Sequence, residues 1–448
     1  MKQIKPALIP GLLLLAGVCF ADVETKNLRC EYLVNPLGID ATRPRLSWII
    51  TANQRGEKQT AYQVLVASTE RGLSQDQGDL WDSGKVASGE TAQIEYAGRP
   101  LASRQSCYWK VRTWDRAGKS GAWSPAAQWH MGLLQPTDWS AKWIVAESPP
   151  APAAGVLVIR KATYEGIEKG GAADVTAALT RLVKDNRLNV EVNNKNLGGD
   201  PAQNIVKRLR VEYELGGTPF TKEIDENQTL SIPEELAGVR YLRKPFQMKS
   251  PVQRAVLYAT ALGLYEVQLN GRCVGDHVLA PDWTDYRKRV RYQAYDVTAL
   301  IQPGDNAIGA LLANGWFSGR IGNGANQFFG KVPAFLAQLE VTFADGSTKR
   351  IATDSTWKSQ RSPILTTDFM LGETHDARLE IKDWAKAGLD DSEWTTVAVR
   401  DESARKLEAQ SHGARATDSR AELPERSRNR SPAVGFLTWV KTWSAWFA

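Results

Sequence analysis

Residues 263–330 constrain the fold more than any other part of the chain. Leu264, Glu266 and Gln268 alternate with Tyr265, Val267 and Leu269, the period-two pattern of a strand with one buried face. Asn270-Gly271 supplies the positive-φ pair of a tight hairpin turn, and residues 272–278 are expected to return as the partner strand. Residues 289–295 are strand-like again, and Asp296-Val297-Thr298 can cap a short turn before Leu300. Pro303-Gly304-Asp305-Asn306 is turn chemistry feeding the apolar run 307–312. Short strands joined by Gly, Pro, Asn and Asp turns describe an antiparallel sandwich or jelly roll.

Several strings in this stretch carry a family resemblance. Gly263-Leu264-Tyr265-Glu266, Leu269-Asn270-Gly271-Arg272, Val274-Gly275-Asp276, the run from Pro281-Asp282-Trp283 to Thr284-Asp285-Tyr286, Tyr295-Asp296-Val297-Thr298 and Asn314-Gly315-Trp316 occur in this order. Together they resemble the amino-terminal jelly-roll module of bacterial α-L-rhamnosidases, glycoside hydrolase family 78. The resemblance is dense over residues 241–399, where Gly372-Glu373 and Asp376-Ala377-Arg378 match the closing segment. It implies a secreted enzyme that removes terminal α-L-rhamnose by inversion, using two glutamates of a downstream (α/α)6 barrel. Twelve helices of about 11 residues with about 4-residue loops need roughly 180 residues. Far fewer follow Arg400, so the catalytic glutamates are not expected in this chain.

A length of 448 residues suits about three domains, and 42% hydrophobic with 24% charged residues is globular composition. The formal charge of +6 is mild and comes without a basic aromatic motif, so no nucleic-acid partner is expected. Lys2 and Lys5 precede the apolar run 7–20, with Ala21 as the small residue. This reads as a secretory signal cut at Ala21-Asp22, leaving the chain secreted or periplasmic with no membrane partner. Cys30, Cys107 and Cys273 remain in the mature chain, an odd number that allows at most one disulfide.

Residues 22–135 read as a sandwich of short strands. At residues 107–114, Cys107, Trp109, Val111 and Thr113 share one face and Tyr108, Lys110 and Arg112 the other, so one side is expected in the core and the other in water. Arg29-Cys30-Glu31-Tyr32-Leu33, Pro36-Leu37-Gly38 and Tyr108-Trp109-Lys110-Val111-Arg112 resemble the fibronectin type III sandwich that opens many rhamnosidases. Trp139-Ser140-Ala141-Lys142-Trp143-Ile144, within residues 136–150, resembles the opening of the jelly roll. Residues 151–238 then interrupt it behind a Pro-rich linker. Within this insert Asp174 can cap a helix to about Lys184, residues 188–192, 205–215 and 219–224 read as strands, and 193–201 as either a ligand loop or an ordinary long turn. The jelly roll fills residues 239–400, with a strand at 334–343, a hairpin turn at 344–347 and the return at 349–353. The fold class expected is therefore mainly β: a fibronectin type III-like sandwich plus a jelly-roll β-sandwich, with a small inserted α+β module.

No catalytic residue is assigned. His130, His277, His375 and His412 are far apart without metal-ligand spacing, and no nucleophile elbow or phosphate loop occurs. Neither metal nor cofactor is therefore expected. Asn314, Trp316, Arg320, Asn323 and Asn326 lie on one Gly-rich loop after an apolar strand, the mix of aromatic platform and amide or charged donors that binds sugar. These are the candidate carbohydrate-binding residues, for rhamnose-containing glycans; the other reading is a loop that packs against the expected barrel. Family members that hold rhamnose through calcium place an acidic side chain in this loop. Here no carboxylate occurs between Asn314 and Gly330, which argues against calcium. A free-standing carbohydrate-binding protein and an intact enzyme with an unrecognised jelly-roll site remain the alternatives.

The tail departs from the family pattern. Residues 413–448 are Arg-rich, lack a period and end GFLTWVKTWSAWFA. Residues 436–447 admit a coding sequence that, read two nucleotides later, yields FDLGQNMVGVV, and 413–423 admit one yielding EPVRQTREL one nucleotide later. Both strings resemble the family's continuation. Residues 401–448 are thus expected to be disordered and out of frame, truncating the family pattern before the barrel.

Overall fold

The computed structural model describes residues 23–146, 156–167, 170–232, 238–249, 251–322 and 325–410. The expectations for the signal cut at Ala21 and Asp22, for Asn323 and for the tail beyond residue 410 fall outside them. The described chain is mainly β and forms two compact units, residues 23–138 with 409–410 and the remainder up to 408.

The first unit packs two sheets. Val23–Cys30, Arg45–Ala52 and Ile94–Glu95 make one; Leu37–Ile39, Ala127–Met131, Ser106–Trp114, Ala61–Ala67 and Trp81–Asp82, in that order, make the other. Alternation along Ser106–Trp114 buries Cys107, Trp109 and Val111 against Leu46, Val64, Val66, Trp129 and Met131. The opposite face is not wet as its charges suggest. Lys110 is 7% exposed, its Nζ paired with Asp76 and 5.0 Å above the ring of Trp123. Arg112 lies over the same ring at 4.6 Å. Long aliphatic stems cover apolar surface while their cations sit on an aromatic face, so a basic residue can serve as a roof. Cys30 and Cys107 are both buried as free thiols.

In the second unit, one sheet layer holds Leu264–Leu269, Gly304–Ala313, Arg240–Met248, Lys358–Arg361 and Thr395–Arg400. The other holds Trp143–Ala146, Ala334–Phe343, Val252–Leu262, Arg289–Asp296 and Lys406–Ala409, with Thr348–Ala352 beside Ala334–Phe343. Trp143–Ala146 pairs with Thr395–Arg400 and so links the layers. Val267, Leu269, Ile308 and Ala310 of one layer share a core with Leu257, Ala259, Phe335, Leu339 and Val341 of the other, as a sandwich requires. The expected partner strand after Asn270-Gly271 is short, only Arg272–Cys273. Gly275 turns the chain away at φ 71°, and a Cβ there would lie 2.2 Å from Cε1 of Tyr295.

The inserted module has its own core. Leu157–Gly166, Ala172–Asp174, Lys207–Leu215 and Thr218–Asp225 form a four-stranded sheet, and Leu188–Glu191 pairs with Thr229–Ile232. Tyr164, Leu179, Leu188, Leu209, Val211 and Leu230 are buried between them. Asp174 Oδ1 accepts from the Thr176 N–H at 2.9 Å at the start of the helix Thr176–Leu182, which ends before Lys184. Residues 193–201 contain one helical turn, Asn194–Leu197, capped by Asn193 and closed by Gly198 at φ 89°.

Candidate glycan-binding surface

The strand Gly304–Ala313 delivers the chain to Asn314 and then to the single helical turn Gly315–Ser318. Gly315 sits at φ 51°, and a Cβ on it would lie 2.6 Å from Cγ of Leu264 and 3.0 Å from the Leu264 backbone nitrogen. Only glycine lets the turn press against the start of Leu264–Leu269. That contact sets where Trp316 projects.

Trp316 is the middle ring of three. Its indole stacks on Phe369 with centroids 4.2 Å apart, and lies nearly parallel to Trp283, at 9° and 6.3 Å. Trp283 is 51% exposed, and the neighbours of Phe369 at the tip of the hairpin Ile364–Asp368/Gly372–His375, Met370 and Leu371, are more than 60% exposed. Three loops far apart in sequence thus bring their aromatic residues together. Asp282, beside Trp283, is held by Arg291 Nη1 at 2.9 Å.

Asp368 ties this group together. Its Oδ2 accepts from the Arg320 backbone N–H at 2.8 Å, and its Oδ1 from those of Met370 and Leu371 at 2.8 and 3.2 Å. The sequence of the 314–330 loop shows no carboxylate; the fold brings one from another strand. Both its oxygens accept from backbone amides.

Of the expected binding residues, Trp316 lies in the aromatic group, half-buried between the half-buried Phe369 and the exposed Trp283. Asn314 has helical φ/ψ and its side chain does not cap the turn. The Arg320 guanidinium donates from Nη2 to the Asn227 carbonyl of the inserted module at 2.7 Å, so it partly serves to seat that module. Asn326 pairs with Arg320 in a two-residue ladder. Trp283, Phe369 and Asp368 were not expected. Trp283 lies within the run Pro281-Asp282-Trp283-Thr284-Asp285-Tyr286, but its partner rings are apparent only once the loops meet.

Beside the group, Glu373 and His375 share one side of Gly372–His375, two residues apart. Burial raises the Glu373 carboxyl above its ordinary range, opposed by nearby His375. Its Oε1 is buried without a hydrogen-bond partner. His375 Nε2 stands 3.5 Å from Glu380 Oε1. Asp376, one residue on, is pulled down to about 2 by Arg378. A raised and a depressed carboxyl lie close in sequence, yet Asp376 is locked by Arg378 at 2.6 Å. This arrangement does not present the pair flanking a water that inverting hydrolysis needs.

Residues 250–417 match the family described as the alpha-L-rhamnosidase N-terminal domain, and residues 25–135 match the Rha78A-like N-terminal immunoglobulin domain. The chain carries α-L-rhamnosidase amino-terminal domains. An alpha-L-rhamnosidase of Streptomyces avermitilis is 34% identical over 466 residues, covering 83% of this chain and 44% of the relative. One from Formosa agariphila is 34% identical over 393 residues, covering 87% of this chain and 34% of the relative. The crystal structure of the Streptomyces avermitilis alpha-L-rhamnosidase complexed with L-rhamnose aligns with a TM-score of 0.69 at 31% identity, over 87% of this chain and 46% of that one. The alpha-L-rhamnosidase structure from Dictyoglumus thermophilum aligns at 0.63 and 30% identity, over 86% and 35%. The chain spans less than half the length of these relatives.

In this rhamnosidase amino-terminal region the candidate surface lies wholly within the matched segment 250–417, because Trp283, Trp316, Asp368 and Phe369 all do. Among the described residues no helix is long and apolar enough to cross a membrane.

Proposed function

We propose that this region is the glycan-recognising part of an exported enzyme acting on terminal α-L-rhamnosides, and that hydrolysis depends on glutamates of a further barrel domain. The carrying observation is the group of Trp283, Trp316 and Phe369. The apolar face of a pyranose stacks on an exposed indole, and polar side chains around the ring select its hydroxyls. Asn314 precedes Trp316 by two residues and offers such a polar side chain, and Asp368 fixes the backbone of the two loops that carry Trp316 and Phe369. Export follows from the charged and apolar pattern of residues 1–21.

Calorimetric titration of the chain with L-rhamnose, alongside an aryl α-L-rhamnoside turnover assay, tests both halves. Rhamnose binding without turnover is the expected result. Turnover that survives re-purification would overturn the division of labour, and a null titration with rhamnose and rhamnosides would remove the recognition role.

A further inference from the structure

Two contacts join the inserted module to the elements that carry the aromatic group. The chain leaves the insert at Gly238, and Val239 is buried in a cluster with Leu264, Ala313 and Ile364. Trp316 and Phe369 pack against that same cluster. The Val239 N–H donates to the Ile364 carbonyl at 3.0 Å, at the base of the hairpin whose tip holds Phe369. The second contact is Arg320, four residues after Trp316, whose Nη2 donates to the Asn227 carbonyl at 2.7 Å.

The loop 193–200 begins at this second contact. The Asn227 N–H donates to the Val192 carbonyl at 2.7 Å, and the Val192 N–H to the Gln228 carbonyl at 2.8 Å; Asn193 is the next residue. Buried side chains brace the loop from below. Tyr164, fully buried, sets its hydroxyl 3.1 Å from Asn194 Oδ1 and 2.8 Å from Glu226 Oε1. Lys207, 4% exposed, holds its Nζ 3.3 Å from Asp200 Oδ1 and 3.2 Å from Glu226 Oε1. Glu226 directly precedes Asn227. One buried network therefore fixes both the loop and the turn that Arg320 grips.

Each asparagine of the loop commits one end of its amide to this frame. Asn193 Oδ1 accepts from the Asn196 N–H at 2.9 Å, Asn194 Oδ1 meets Tyr164, and Asn196 Nδ2 donates to the Glu191 carbonyl at 2.9 Å. The other ends make no hydrogen bond among the described residues, and all three side chains are partly exposed. Amides held in this way offer donors and acceptors to sugar hydroxyls at little cost in ordering.

We propose that the inserted module forms a second wall of the glycan site, with Asn193, Asn194 and Asn196 taking hydroxyls of the sugar beyond the rhamnose stacked on the rings. The region then prefers oligosaccharides to the free monosaccharide. Arg320 is a positioning residue, acting through Asn227 to seat the loop. The inference rests on the aromatic group being the sugar platform.

Calorimetry on the full chain with L-rhamnose and with an α-linked trisaccharide of L-rhamnose separates the two readings. The trisaccharide is expected to bind about tenfold tighter, the worth of one or two added hydrogen bonds. Asn194→Ala, which leaves Tyr164 its Glu226 partner, should close most of that gap. Arg320→Ala should close it as well and Arg320→Lys restore part of it, with thermal melting confirming that all three variants fold. Equal affinity for the two sugars, or a gap untouched by Asn194→Ala and Arg320→Ala, overturns the second wall while the platform stands. Trisaccharide binding that depends on Asn194 but not on Trp316 overturns the platform and leaves the insert as a site by itself. Binding of neither sugar removes both.

Discussion

Asp368 Oδ2 accepts a hydrogen bond from the backbone N–H of Arg320 at 2.8 Å, joining a hairpin tip to a loop nearly fifty residues earlier. The same carboxylate holds its own hairpin through Met370 and Leu371. One side chain therefore sets the separation of Phe369 and Trp316, and hence the shape of the aromatic surface.

Asp368→Ala should loosen both loops together. Three backbone N–H groups lose their acceptor, and the expected loss is about 1–3 kcal/mol where burial denies them water. Amide exchange should accelerate at Arg320, Met370 and Leu371 while Ala334–Phe343 keeps its protection. Unchanged exchange at Arg320 would show that the carboxylate is not the tie.

Gly315→Ala tests the close approach under Trp316. The new Cβ would meet Leu264 backbone and side chain at 3.0 and 2.6 Å, at a positive φ. Strain of this kind costs about 1–3 kcal/mol, read as a lowered midpoint in urea unfolding. A variant as stable as the parent would mean that the turn relaxes freely.

Trp316→Ala removes the ring between Phe369 and Trp283. Loss of one stacking surface of ~1 kcal/mol lowers glycan affinity about fivefold, and Trp316→Phe should recover part of it. Equal affinity in all three proteins would place the sugar elsewhere.

The hairpin also makes stability depend on pH. Burial raises Glu373 above its ordinary 4.5, so the folded state binds its proton more tightly than the unfolded state. Its stabilising contribution is complete below about 4.5 and is lost as pH rises through the raised value. Asp376 acts oppositely: lowered to about 2, it stabilises above 3.8 and loses that contribution as pH falls towards 2. Glu373→Gln should accordingly raise Tm at pH 7 and leave it unchanged near pH 4. A fall in Tm at pH 7 would show that the charged form is the one the fold uses.

Thiol labelling reports on the first unit. Cys30 and Cys107 are buried, and burial pushes Cys107 up to about 12 and Cys30 higher still; the reacting thiolate is therefore scarce at neutral pH. Cys273 is exposed and should alkylate first, with Cys30 and Cys107 following only on unfolding. Simultaneous labelling of all three would contradict the packing.

The amino-acid order alone determined the local elements whose signals are short-range. Ala334–Phe343 forms where alternation placed it, the turn at 344–347 follows it, and Asp296 caps the turn at Thr298–Leu300 through contacts two residues long. The family strings around Trp283 and Asn314-Gly315-Trp316 likewise pointed to the jelly roll from residue order. Tertiary structure decided what requires partners distant in the chain. Lys110 is buried because Trp123 and Asp76 cover it, the chain after the short strand following Gly271 turns at Gly275 against the ring of Tyr295, and the carboxylate beside the 314–330 loop is Asp368. Alternation specifies which way a side chain points but not which loop will cover it. The aromatic surface of Trp283, Trp316 and Phe369 therefore exists only after the two sheet layers have closed and set three separate loops side by side.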